Sequence, residues 1–254
     1  MEVTWVGHST VLIEHDGYRV ITDPLLTRRV AHLRRRRSLP DADVADVDVA
    51  LLSHVHLYHL HLPSIRKLRP STAFVVPRNA APLLRRAGFR DVTEVVEGDV
   101  LETGPLRIEV VHAEHKAGRG PHTKLTAAPV GYIVDSDLTG EHRGRRVYFP
   151  GDTDLFDEMG TFHDVDLALL PIWGWGSTLG TGHLDPERAA QASALMRPRL
   201  VVPIHWGTYA PEDGRRTLPK WFTNAPDLFA ESMASSGQSD LLRLLDPGAT
   251  ISLT

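Results

Sequence analysis

Four histidines lie within eight residues in Ser53-His54-Val55-His56-Leu57-Tyr58-His59-Leu60-His61, directly after the run 47–52, which is apolar except for Asp48. An apolar run of this length, bounded by polar residues, reads as a short buried strand. Imidazoles crowded at the end of such a strand converge on a common point. If the segment stays extended, His54 and His56 point the same way and can share one ion, while a following turn carries His59 to a neighbouring position. The competing reading is a surface run of histidines or an expression tag. A tag sits at a terminus, and this segment does not.

The chain has fourteen histidines and no cysteine. Disulfides and thiolate sites are therefore excluded, and any metal is held by imidazole nitrogen and carboxylate oxygen. With 254 residues and 42% hydrophobic content the chain can bury a sizeable core, and one domain over 1–254 is expected. The formal charge is −4, and positive charge is dispersed except at Arg34, Arg35, Arg36 and Arg37, so nucleic acid is not an expected partner. No stretch is long and apolar enough for membrane insertion, and no basic start leads into an apolar h-region; a cytoplasmic location is the expectation.

Along the chain, residues 3–13 alternate weakly and 18–22 repeat the pattern after the turn His15-Asp16-Gly17, which predicts an opening hairpin. A long polar connection, 26–46, holds the arginine run. Short helices are expected over 63–69 and 81–87, the second closed by Gly88, and strands over 73–76, 92–96, 106–111, 130–134, 146–149, 167–171 and 200–204. A longer helix fits 185–196, with Asp185 as N-cap and Pro186 at the first position. The tail adds a small helix and two edge strands. Two strand-rich halves, each flanked by helices, fit a sandwich of sheets with helices outside.

Three further constellations stand just past expected strands: His112-Ala113-Glu114-His115, Gly151-Asp152-Thr153-Asp154 and Pro203-Ile204-His205-Trp206-Gly207. Singly each has an ordinary structural explanation, such as a turn aspartate or a satisfied histidine. Together they place histidines and an aspartate at the C-terminal ends of several strands, where side chains from different strands meet and sites form.

The order His-x-His-x-x-His, then His, then Gly-Asp-Thr, then a late His resembles the metallo-β-lactamase superfamily. Trp5-Val6-Gly7-His8-Ser9-Thr10-Val11-Leu12-Ile13, Thr22-Asp23-Pro24, Ala113-Glu114-His115 and Gly182-His183-Leu184-Asp185-Pro186 are similar to the branch with ascorbate-6-phosphate lactonase and N-acyl-phosphatidylethanolamine phospholipase D-like hydrolases. The resemblance covers nearly the whole chain. It implies an α/β fold, an αββα sandwich of two mixed sheets flanked by helices. It implies a first metal site of His54, His56 and His115, a second of His59 and His205, and Asp152 as the bridge. The expected cofactor is Zn2+, one or two ions, with Mn2+ or Fe as alternatives. The expected reaction is hydrolysis of a lactone or phosphodiester by a metal-activated water, with Asp152 accepting a proton.

Where that family has an aspartate two residues after the second histidine, this chain has Tyr58. Three outcomes follow. The enzyme is mononuclear, which is the favoured reading, or it is binuclear with Tyr58 as phenolate, or it is a non-catalytic metal- or ligand-binding protein that keeps the fold. A tyrosine hydroxyl beside a metal can also bond the bound water or substrate. Among substrate-side residues, His8 is expected near the pocket. His183 is a proton-transfer group or simply a residue at the start of a helix. Arg119 is a partner for an anionic small-molecule substrate. Trp173, in the glycine- and tryptophan-rich segment 171–180, walls a pocket or serves packing. The arginine run is a solvated loop or a contact for anions or a membrane surface.

Overall fold

The computed structural model describes residues 1–40, 43–116, 118–120, 123–173, 179–212, 218 and 220–254. The chain opens with a meander of three strands, β1 (Glu2–Gly7), β2 (Thr10–His15) and β3 (Tyr18–Thr22). The expected single strand over 3–13 is thus two strands, because the chain reverses at Gly7 (φ 121°) and His8 (φ 54°). Two short strands follow, β4 (Arg29–Val30) and β5 (Leu33–Arg35), then β6 (Val49–Leu51) and the one-turn helix α1 (Leu62–Ile65). Next come β7 (Ala73–Pro77), α2 (Ala81–Arg86), β8 (Val92–Val95), β9 (Val100–Thr103) and β10 (Leu106–His112). The second half holds β11 (Val130–Asp135), β12 (Arg146–Phe149), β13 (Leu167–Pro171), α3 (Pro186–Met196) and β14 (Leu200–Ile204). It closes with β15 (Tyr209–Pro211), α4 (Lys220–Thr223), α5 (Ala225–Ser235) and β16 (Thr250–Ser252).

Among the described residues the strands form a seven-stranded sheet in the order β16-β1-β2-β3-β6-β7-β8 and a six-stranded sheet in the order β14-β13-β12-β11-β10-β9. Both are mixed: β3-β6-β7-β8 and β12-β13-β14 run parallel, the other pairings antiparallel. Period-two alternation decides what each face buries. In the first sheet Val3, Trp5, Val11, Ile13, Val20, Val49, Leu51 and Val75 face the second sheet. Leu12, Ile21, Ala50, Phe74 and Val76 face outward, beneath Ile65 of α1 and Ala81 and Leu84 of α2. On the far side, Ala189, Ala192 and Met196 of α3 and Phe229 and Met233 of α5 join the core of the second sheet. Each such large apolar side chain contributes roughly 1.5–3 kcal/mol on burial. The result is the αββα layering that the motif resemblance implies.

The sequence signals hold at α3, where Asp185 accepts from Arg188 N at 2.9 Å and Arg197 ends the helix in left-handed geometry (φ 52°). They fail in the connection 26–46, which contains β4 and β5. These pair with β15 in a small third sheet. The arginine run is accordingly not one solvated loop. Arg35 is buried and donates from Nε to Arg37 O at 2.9 Å and from Nη2 to Val6 O, while Arg37 pairs with Asp246 at 2.8 Å. Among the described residues the tail has two helices, α4 and the eleven-residue α5, where one small helix is expected, and its two strands, β15 and β16, both stand at sheet edges as expected. No helix among the described residues is long and apolar enough to cross a membrane.

Candidate metal centre

The first histidine segment leaves β6 at the seam between the two sheets. Ser53 O accepts from Val130 N at 2.9 Å and Leu52 O from the Tyr132 hydroxyl at 2.8 Å, so the second sheet fixes where the segment starts. The segment then folds back: His59 N and Leu60 N both donate to His56 O, at 3.1 and 2.9 Å. This turn carries His59 into the cluster beside His54. Beneath it lies Asp23, just past β3, whose fully buried carboxylate accepts from Ser53 N at 2.8 Å, Ser53 Oγ at 2.5 Å and His59 Nδ1 at 2.7 Å.

Three strands of the other sheet supply the opposing groups: His115 beyond β10, Asp152 beyond β12 and His205 beyond β14. Asp152 can reach its place because Gly151 precedes it with φ 67°. A Cβ there would sit 2.3 Å from Ser53 Cβ, so only glycine allows the two segments to touch. Asp152 Oδ2 lies 3.2 Å from His59 Nε2, 3.9 Å from His54 Nε2 and 4.0 Å from His115 Nε2; Oδ1 lies 3.1 Å from His205 Nε2. His56 Nδ1 is 2.9 Å from His54 Nε2 and 3.1 Å from His115 Nε2. One ligand atom from each of His54, His56, His115 and Asp152 falls within 4.8 Å of the others, and the same holds for His8, His59 and His205.

The imidazoles are oriented from behind. His115 Nδ1 donates to Gly182 O at 2.5 Å, His205 Nδ1 to Trp173 O, and His59 Nδ1 to Asp23, which leaves each Nε2 directed at the cluster. Burial drives His54 far below the ordinary histidine value, helped by His59. Burial, then His115, takes His56 to about 4, and burial takes His205 to about 4 against the pull of Asp152. Burial acts to raise Asp152, but His205 and His59 outweigh it and keep the carboxylate ionised. For His59 burial opposes protonation, and Asp152 and Asp23 overcome it, raising the group to about 10.

Most of the cluster is therefore neutral imidazole around a buried carboxylate. Of the eight buried side-chain atoms without a hydrogen-bond partner among the described residues, four lie here: His8 Nε2, Asp152 Oδ1, His183 Nδ1 and His205 Nε2. Orphaned acceptors of this kind are what a cation satisfies, with release of the His59 proton on binding. The donor set, imidazole and carboxylate, fits zinc, iron or manganese.

The structure brings together all six residues expected as ligands, and adds His8, whose ring centroid is 4.1 Å from that of His205 and 5.1 Å from that of His59. His183 faces the same space, with Nε2 3.8 Å from Asp152 Oδ2. Tyr58 packs beside Leu25, Leu33 and Tyr209, and burial raises its phenol above the ordinary value. Arg119 has a partner other than the expected substrate anion: Nη1 donates to Val55 O at 2.9 Å and Leu60 O at 3.1 Å and so ties both ends of the histidine segment. Trp173 lines a groove of about 690 Å3 between α3 and α5, away from the histidines, while its carbonyl orients His205. The rest of its expected loop, 174–178, lies outside the described residues. Sequence reasoning assigned no role to Asp23 or Ser53; the signal was the motif Thr22-Asp23-Pro24 at a strand end.

Sandwich and centre together define the class, a metal-dependent hydrolase of the metallo-β-lactamase fold. A family model described as the beta-lactamase superfamily domain matches residues 18–206, and the chain belongs to that superfamily. It is similar over 253 residues, at 29% identity and 98% of both chains, to a protein of Methanopyrus kandleri named as a metal-dependent hydrolase. It is 30% identical over 235 residues to the N-acyl-phosphatidylethanolamine-hydrolyzing phospholipase D 1 of Caenorhabditis elegans, which covers 81% of this chain and 64% of that relative. Among solved structures, the metallo hydrolase Igni18 of Ignicoccus hospitalis superposes with a TM-score of 0.73 at 25% identity, covering 100% of this chain and 99% of that one.

Proposed function

We propose that this protein hydrolyses a small anionic substrate of the phosphodiester or lactone class, with its metal held by His54, His56, His115 and Asp152. The observation that carries this reading is the convergence of those four ligand atoms within 4.8 Å, at strand ends contributed by both sheets. When bound, the ion lowers the pKa of a water and polarises the group under attack. The chain's own residues supply the remainder. Asp23 orients His59, and the carbonyls of Gly182 and Trp173 orient His115 and His205. His183, with 27% of its side chain exposed, stands at the open side of the cluster, where its imidazole can pass a proton to a leaving oxygen. Tyr58 stays a neutral phenol and serves as a hydrogen-bond donor to substrate. The relative named for phospholipase D hydrolysis favours the phosphodiester arm.

The test is to strip the protein of metal, reload it with Zn2+, Mn2+ or Fe2+, and assay chromogenic phosphodiesters and lactones beside Asp152→Asn. Metal-dependent turnover of either class, abolished in Asp152→Asn, is expected. A loaded, folded protein inert toward both classes would refute the substrate assignment. A cytoplasmic location belongs to the same reading.

A further inference from the structure

His59 Nε2 and His205 Nε2 approach the two different oxygens of Asp152, at 3.2 and 3.1 Å. Asp152 thus faces a second space on the side of the cluster away from His56 and His115. The third wall of that space is His8. Its Nε2 is buried and without a partner, and its ligand atom lies within 4.8 Å of those of His59 and His205. His205 Nε2 and Asp152 Oδ1 lack a hydrogen-bond partner as well, so their close approach is not itself a hydrogen bond.

The main chain at His8 is fastened from three directions. Its carbonyl accepts from Trp5 Nε1 and from His205 N, each at 2.9 Å, and its N–H donates to Thr208 Oγ1 at 2.8 Å. These contacts hold His8 at φ 54° and His205 at φ 64°, conformations that residues other than glycine rarely adopt. Non-glycine strain of this kind concentrates where a side chain must be aimed. Packing against His205, with the two ring planes tilted by 38°, accounts for the position of the ring, but not for an Nε2 that is buried without a hydrogen-bond partner.

We infer that His8 is a ligand of a second divalent ion, held with His59, His205 and Asp152, so that the centre is binuclear although Tyr58 offers no carboxylate. The inference rests on the metal site proposed above and extends it. His8 supplies a neutral imidazole where an anion is missing, and the second ion is accordingly held less tightly than the first.

The test is zinc titration of the metal-free protein by calorimetry, with elemental analysis of the product, for the wild type, His8→Asn and His8→Gly. Both replacements tolerate positive φ, so they remove the imidazole without adding backbone strain. Two ions per wild-type chain are expected, with the second step at least about 10-fold weaker in both variants, as even outer-shell changes produce. An unchanged second step in a cooperatively melting variant would overturn the inference. One ion in the wild type would overturn it and leave the first site standing, whereas none would overturn both. If neither variant melts cooperatively, ring nitrogen NMR of zinc-loaded wild type decides: six coordinated histidines support His8 as a ligand, and five refute it.

Discussion

Gly151 is the hinge on which the two halves of the centre meet, and Gly151→Ala measures what that contact is worth. Its φ of 67° costs a residue with a Cβ about 1–2 kcal/mol. The new methyl would also lie 2.3 Å from both Cβ and Oγ of Ser53, far inside contact distance. Ser53 cannot step aside freely, because its Oγ bonds Asp23 at 2.5 Å and His54 Nδ1 at 2.9 Å. Overpacking of this kind adds about 1–3 kcal/mol, for a total of about 2–5 kcal/mol. For a chain of this size that is a fall in Tm of roughly 4–20 °C. Gly17→Ala is the control: φ there is 78° with open space around the added carbon, so only the backbone term of about 1–2 kcal/mol applies. Thermal and urea unfolding of the metal-free proteins gives the difference. If Gly151→Ala loses no more stability than Gly17→Ala, the Ser53 contact is not the constraint described.

Asp23→Asn keeps the volume but puts an amide where His59 Nδ1 and Ser53 Oγ need an acceptor. Zinc affinity, read by chelator competition, is expected to fall by about 10–100-fold, and an unchanged affinity would contradict the orienting role. Arg119→Met removes two hydrogen bonds from a half-buried guanidinium and should cost about 1–3 kcal/mol. Proteolysis within 55–60 should speed up while KM for an anionic substrate stays the same; a raised KM on an unchanged loop would restore Arg119 to the substrate. At Glu109 burial favours the protonated form, but Arg146 and Arg107 outweigh it and lower the carboxyl below its ordinary value. Its contribution is therefore complete above the unfolded carboxylate pKa and is lost as pH falls through the lower folded one. Glu109→Gln should flatten stability against pH over that acid interval, and a slope identical to wild type would refute the pairing.

What could be read from the sequence is local. The strand end before His54 shows because a short apolar run meets a block of imidazoles, and α3 shows because Asp185 and Pro186 mark its start. The His8 reversal did not show. Gly7-His8-Ser9 has no turn dipeptide of the usual kind, and Thr208 and His205, two hundred residues away, hold it in place. Asp23 was visible as a strand terminus but not as the residue behind His59, since that role depends on three hydrogen bonds from Ser53 and His59 that only the fold assembles. Arg35 looked like one of four equivalent surface cations. It is buried because Gly7, with no Cβ to oppose it, leaves room for the guanidinium, and main-chain carbonyls accept its hydrogen bonds. The part of Trp173 that orients His205 is a carbonyl, which no side-chain pattern reveals.

The central claim is that His54, His56, His115 and Asp152 hold an ion, and zinc binding to His56→Ala tests it most directly. His56 is only half-buried and its loss leaves Asp23, Ser53 and His59 in place, so the variant should fold. The account predicts that the tightest-bound equivalent of zinc disappears from the titration, together with hydrolysis. A folded His56→Ala protein that still takes up that equivalent with wild-type affinity would contradict it.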